Sequence, residues 1–209
     1  MDGLYLIVSA LIGAAATIAS VLISRKNSKK KINSRDPILN ETQNNENIYT
    51  ALEFVMKEMG ADRAYILQFH NGGYYISGRS QQKFSCTHEM VENGISRECE
   101  FSQNHIVSNF HEYINELINS GKFAYLEAEV AKDYSFAMMM KQKGIKSIYN
   151  IPIKTLNNTV IGILGVDYIK SCASKNNLGS CDMGEKHAFA ENTDEFMKRQ
   201  ARTIAGYLI

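Results

Sequence analysis

The chain has 209 residues, 44% of them hydrophobic, with 23 Lys and Arg against 22 Asp and Glu. The net charge of +1 rests on a basic run at 25–35, so the remainder is mildly acidic, which argues against a nucleic-acid-binding domain with its basic face. Four cysteines, Cys86, Cys99, Cys172 and Cys181, include no C-x-x-C pair and so no zinc or redox motif of that spacing.

Residues 4–23 (LYLIVSALIGAAATIASVLI) are uncharged and mostly apolar. As a helix they rise about 30 Å, the thickness of a bilayer's hydrocarbon core, and a helix satisfies its own backbone in lipid. Arg25, Lys26, Lys29, Lys30, Lys31 and Arg35 follow at once, and basic residues beside a span stay on the cytoplasmic side. The expectation is one transmembrane helix over 1–24 in the inner or plasma membrane, N-terminus out, with the rest cytoplasmic. A cleaved secretory signal needs its basic residues before the apolar core, not after it. A buried core helix fits this length and lack of charge poorly. Small residues four apart (Ser9, Gly13 and Thr17; Ala15 and Ala19) permit close helix pairing but also occur in spans that stay single. The basic run reads first as a topology anchor, though such a run can also attract anionic lipid headgroups. Cytoplasmic thiols stay reduced; in an external domain, Cys172 and Cys181 would be expected to close the polar loop between them.

Residues 25–46 read as a basic, polar linker containing Pro37 and several Asn. Beyond it lie about 160 residues, enough for one domain over 47–209. A helix is predicted at 47–59, with Ile48, Leu52, Val55, Met56 and Met59 on one face and Gly60 ending it. A strand at 63–70 leads to a turn signal, Asn71-Gly72-Gly73, and a second strand at 82–88. A helix over 105–119 puts Ile106, Phe110, Tyr113, Ile114 and Leu117 on one side. A short strand at 123–126 and a helix at 130–143 follow. Strands at 147–154 and 159–168 form a hairpin around Asn157-Asn158, and Gly162 and Gly165 mark a bulge or a close approach. A polar loop spans 171–186, and a helix at 192–208 closes the chain with Phe196, Ile204, Tyr207 and Leu208 on its apolar face.

This order is an α+β pattern around one antiparallel sheet. Gly60-Ala-Asp-Arg-Ala-Tyr-Ile resembles the end of the first helix and the first strand of a GAF domain. Lys143-Gly-Ile-Lys-Ser-Ile-Tyr-Asn-Ile-Pro-Ile resembles that family's late hairpin, Val160-Ile-Gly-Ile-Leu-Gly-Val its return strand, and 196–208 its closing helix. The resemblance covers about 47–209 and is weak between about 74 and 125. It implies a GAF/PAS-like central antiparallel sheet, with helices on one side and a ligand pocket on the other, and pairing of copies through the first and last helices. The Asn-Lys, Phe and Asp-Glu signature of cyclic-nucleotide-binding members is not matched by Asn192-Thr-Asp-Glu-Phe196. The phytochrome chromophore cysteine has no counterpart. Cys86 and Cys99 are similar in spacing to the pocket cysteines of members that reduce free methionine sulfoxide, but a third cysteine does not match.

The segment His70-Asn-Gly-Gly-Tyr-Tyr-Ile-Ser-Gly-Arg79 is unusual in composition and is a candidate binding loop. Its glycines let backbone approach a ligand, Tyr74 and Tyr75 offer flat surface, and Arg79 offers a cation. The plainer reading of the same segment is an ordinary hairpin loop whose tyrosines cap the core. It lacks the Walker spacing of a phosphate loop. His70, His88 and His105 with Cys86 lack the close ligand pairs of structural zinc sites, so no metal and no cofactor is expected. Met138, Met139 and Met140 suit either an adaptable pocket wall or core packing. Glu127, Glu129 and Asp133 read as a solvated helix face, and no Ser-His-Asp or Cys-His arrangement stands out. The candidate pocket therefore comprises Phe69, His70, Tyr74, Tyr75, Arg79, Phe84, Cys86, His88, Tyr125, Met139 and Tyr149.

The resulting expectation is a membrane-anchored, non-enzymatic GAF-like module that binds a small molecule or a protein partner and forms a homodimer or oligomer. With no output domain before Ile209, its signal is expected to leave through self-association, a partner or the membrane helix. The alternative is a membrane-lesion protein, since T-type holins of T4-like phages resemble this layout of one N-terminal span and a globular domain. Their domain lies outside the cytoplasm, against the sense of Arg25 to Arg35. A third reading is a thiol enzyme using Cys86 or Cys99.

Overall fold

The computed structural model describes residues 36–125, 133–170 and 192–209. The segment read as a membrane span, the basic cluster, Glu127, Glu129, and the loop carrying Cys172 and Cys181 lie outside the described residues. Among the described residues, no helix is long and apolar enough to cross a membrane. The chain divides into two units, Met1–Gln43 and Asn44–Ile209.

The first helix, α1, runs over Pro37–Met59, not from Asn47. The helix start expected at 47 is thereby corrected, and the helix takes in part of the segment read as a linker. Asp36 accepts the Ile38 amide on its carboxylate at 2.9 Å, and Pro37 takes the first helical position, where its missing N–H costs nothing. The extra turns are polar and show no apolar period, so periodicity alone does not reveal them.

After α1 come β1 (Arg63–Tyr74), β2 (Ser80–Val91), β3 (His105–Ile106), a 3-10 turn (Val107–Phe110) and α2 (His111–Ser120). Then follow β4 (Phe123–Tyr125), α3 (Tyr134–Gln142), β5 (Ser147–Lys154), β6 (Val160–Tyr168) and α4 (Thr193–Leu208). One six-stranded antiparallel sheet has the order β3-β2-β1-β6-β5-β4, so its edges are the two shortest strands. The helix expected from His105 starts at His111, because His105 and Ile106 first pair with Phe84 and Lys83 of β2. The turn expected at Asn71-Gly72-Gly73 lies further on: β1 continues to Tyr74, and the Gly78 amide closes the turn on the Tyr75 carbonyl at 2.8 Å.

Two cores sandwich the sheet. On one face, Ile48, Leu52, Val55, Met56 and Met59 of α1, the five residues expected from helical spacing, meet Phe196, Met197, Ala201 and Ile204 of α4 over Ala64, Ile66, Leu164 and Val166. On the other face, α2 and α3 cover Tyr65, Leu67, Phe84, Cys86, Ile148 and Ile163. Strand alternation sends successive side chains to opposite faces, which separates these sets. The second core is heavily aromatic: Tyr113 stacks on Phe136 with ring centroids 3.8 Å apart, and Phe123 packs edge-on against both.

Gly165 lets the middle of the sheet close. A methyl there would come within 2.3 Å of Asn150 Oδ1 and 2.4 Å of Tyr65 Cζ. Through the space it leaves, the Tyr65 hydroxyl donates to Asn150 Oδ1 at 2.9 Å and Asn150 Nδ2 donates to the Tyr113 hydroxyl at 2.8 Å. Asp133, expected on a solvated face, is instead buried. It caps α3 by accepting the Phe136 amide and also accepts the Tyr113 amide, each at 3.0 Å.

Candidate functional site

A bulge in β2 builds the site. Leu67 pairs with Cys86 and Ile66 with His88, which leaves Thr87 unmatched. One extra residue reverses the faces of all that follow. His88 thus turns to the α1 face, where Nε2 bonds Asn45 Oδ1 at 3.0 Å and the ring meets Tyr49 edge-on. Glu89 turns to the α3 face and is 2% exposed.

There Glu89 meets Arg63. The Arg63 Nε lies 3.3 Å from Glu89 Oε1 at an angle that makes an ion pair without a hydrogen bond. Arg63 Nη1 donates to Asp167 Oδ2 at 2.9 Å, and Nη2 donates to the Ser96 carbonyl at 3.0 Å. The Glu89 carboxylate also accepts the amides of Glu98 and Cys99, at 2.9 and 3.1 Å, tying the loop after β2 to the cluster. Lys143, one residue past α3, donates to the Ser102 hydroxyl.

These groups enclose a cavity of about 30 Å3, room for about two waters. Arg63, Glu89, Asp167, Lys143 and His105 supply its polar wall, and Leu67, Phe84, Phe136 and Met139 its apolar one. Asp167 Oδ1, Arg63 Nε and His105 Nε2 are buried there without a hydrogen-bond partner. Burial pushes Asp167 up to about 6, against the pull of Arg63 and Lys143. Burial lowers Lys143, and burial with the nearby Lys143 charge lowers His105. The arrangement suits a small polar occupant that offers a donor to Asp167 and an acceptor to Arg63 or Lys143. Among the described residues, no three His, Cys, Asp or Glu side chains are grouped to hold a metal.

Of the candidate residues, Phe84, Cys86 and Met139 line this cavity, and Phe69 packs beside it, its ring 6.1 Å from that of Phe84. The others lie elsewhere. His70 is on the opposite face, with Nε2 2.9 Å from Ser85 Oγ, and His88 is there too. Tyr149 also faces α4, because Ile148 and Asn150 are the inward residues of that strand, and its hydroxyl donates to Asp194. Tyr125, on the edge strand, donates to Glu116 at 2.9 Å. Tyr74 is exposed at the hairpin. Arg79 lies over the Tyr75 ring at 5.1 Å; Tyr75 is held below its ordinary value by hydrogen bonds from Gln81 and Ser108. Arg63, Glu89, Asp167 and Lys143 are the residues that sequence reasoning missed. A charged residue at the end of an apolar run, as Arg63 and Asp167 are, is the signal that points to those two.

No family model matches the sequence, and no curated protein is significantly similar to it. Solved structures do match. The blue-light absorbing form of the PixJ GAF domain from Thermosynechococcus elongatus superposes with a TM-score of 0.57 at 15% identity, over 81% of this chain and 88% of that one. The fold is that of a GAF domain. A second GAF domain, described as part of a membrane protein from Geobacter sulfurreducens, gives 0.54 at 16% identity over 83% and 98% of the two chains. A third, the far-red absorbing JSC1_58120g3 with bound biliverdin, gives 0.52 at 10% identity over 81% and 97%. Within this fold the cavity lies between the sheet and α3, on the face away from α1 and α4.

Proposed function

We propose that this chain is a sensory GAF module, non-enzymatic, which binds a small polar molecule in the cavity beside Arg63, Asp167 and Lys143. The observation that carries the reading is three buried polar atoms around one cavity that make no hydrogen bond, Asp167 Oδ1, His105 Nε2 and Arg63 Nε, the last holding only its ion pair to Glu89. Unpartnered buried groups cost roughly 1–3 kcal/mol each, which an occupant offering matching hydrogen bonds would recover. Biliverdin, held by the JSC1 domain, is far larger than this space, so the ligand here is a molecule of a few heavy atoms. The apolar residues 4–23 and the basic run after them support a single-pass anchor that holds the module on the cytoplasmic side.

The test is mass spectrometry of small molecules released from the full chain purified in detergent. A polar compound retained in proportion to protein, and lost in Asp167→Asn and Lys143→Met, supports the reading. A chain that releases nothing, and whose melting temperature does not respond to a library of small polar metabolites, overturns it. For the anchor, protease added outside intact cells should leave the domain whole; digestion would reverse the orientation.

A further inference from the structure

Cys86 and Cys99 are thirteen positions apart in sequence but adjacent in space. Cys99 Sγ donates to the Cys86 carbonyl at 3.3 Å. The Gln103 side-chain amide donates to both backbones, to the Cys86 carbonyl at 2.7 Å and to the Cys99 carbonyl at 2.6 Å. The Cys86 amide in turn donates to the Ser102 carbonyl at 2.7 Å, so the loop after β2 is fastened alongside the strand that carries Cys86. The thiols interact side chain to side chain as well, and both are free in this structure.

We infer that Cys86 and Cys99 form a redox pair that hydrogen peroxide closes into a disulfide. Their surroundings differ and set the order of events. Cys86 is 5% exposed and lines the cavity, whereas Cys99 is only half-buried. Burial, and then the neighbouring Cys99, push the Cys86 thiol up, so it holds its proton. A thiolate attacks peroxide far faster than a protonated, buried thiol, so Cys99 reacts first, and Cys86 reacts only with the sulfenic acid formed beside it.

Cys99, as the thiolate, attacks one oxygen of peroxide; the O–O bond breaks, hydroxide leaves, and Cys99 becomes a sulfenic acid. Cys86 sulfur then attacks the Cys99 sulfur; the S–O bond breaks, and the Cys86 proton leaves with the hydroxyl as water. The two thiols lose two electrons in total, and one peroxide is reduced to two waters.

The bond would act on the cluster next to it. To form it, Cys99 Sγ leaves the Cys86 carbonyl, and the Cys99 backbone, whose amide Glu89 holds at 3.1 Å, must adjust. Glu89 is the ion-pair partner of Arg63, so the oxidation state of the pair reaches the cavity wall in two contacts.

The experiment uses the full chain with Cys172→Ser and Cys181→Ser, so that only this pair remains. After hydrogen peroxide, free thiols are alkylated and the chain is cut with trypsin; Arg97 separates the two cysteines onto different peptides. The expected result is loss of both alkylated peptides and appearance of one linked, dithiothreitol-sensitive species. In Cys86→Ser, dimedone should trap a sulfenic acid on Cys99, and in Cys99→Ser, Cys86 should remain an alkylatable thiol. Full alkylation of both cysteines in the peroxide-treated parent, with its circular dichroism unchanged, would overturn the inference. So would a dimedone adduct on Cys86 in Cys99→Ser. The parent measurement does not depend on whether either variant folds.

Discussion

Arg63 and Asp167 are register partners across β1 and β6, their Nη1 and Oδ2 2.9 Å apart and both side chains all but closed to solvent. Arg63 stands between Asp167 on one side and Glu89 on the other, one cation serving two buried carboxylates. Removing it leaves both unpaired. Arg63→Ala should therefore cost about 3–5 kcal/mol in urea unfolding, the size of a broken buried pair. Arg63→Lys keeps the charge but not the planar fork, and should fall between the variant and the parent. A loss below about 1 kcal/mol for Arg63→Ala would contradict the description of this cluster.

Asp167 provides a pH signature. Its folded value, about 6, lies above the ordinary 3.8, so the folded state binds a proton that the unfolded chain gives up. The stability contributed by this group is full below the unfolded value and is lost as pH rises through the folded one. Asp167→Asn, which cannot ionise, should gain on the parent as pH is raised from about 4 to 7, by on the order of 3 kcal/mol at most. Unfolding free energies at several pH values check this; a constant difference would refute it.

Gly165 carries a steric prediction. A Cβ there would press on Asn150 Oδ1 and the Tyr65 ring, both fixed by their mutual hydrogen bond. Gly165→Ala should cost about 3 kcal/mol or more, at or beyond the upper end for overpacking. Gly206→Ala, whose added methyl meets nothing within 4 Å, is the control and should be neutral or slightly stabilising. Thermal melts of the two variants compare them directly.

His88 should affect acid stability and leave the cavity alone. Burial lowers its folded value below the ordinary 6.5. Its contribution is present above the unfolded value and is lost as pH falls through the folded one, opposite in sense to that of Asp167. His88→Gln should flatten the decline in melting temperature below about pH 6 without changing what the protein retains. Loss of a retained ligand would place His88 on the wrong face of the sheet.

The elements were legible wherever apolar period decided the structure. The five inward residues of α1, the strand at 147–154 and the closing helix follow from spacing alone. What spacing does not carry was missed: the polar first turns of α1, held by an Asp-Pro start, and the β2 bulge at Thr87, which no composition signals. That single unmatched residue decides which of His88 and Glu89 meets the cavity. It explains why a histidine was expected in a site that a carboxylate occupies. The parity of its strand hides the place of Tyr149, because Ser147 to Ile151 are buried on both faces and the run does not declare which alternate residues point to which helices.

The sheet ends in stubs, a two-residue strand on one margin and a three-residue strand on the other. Further along the β4 margin, β5 carries Pro152, which has no amide hydrogen to offer an incoming strand. Long bare margins template the stacking of one polypeptide on the next. Margins trimmed to two and three residues offer a second copy of the chain little backbone to stack on.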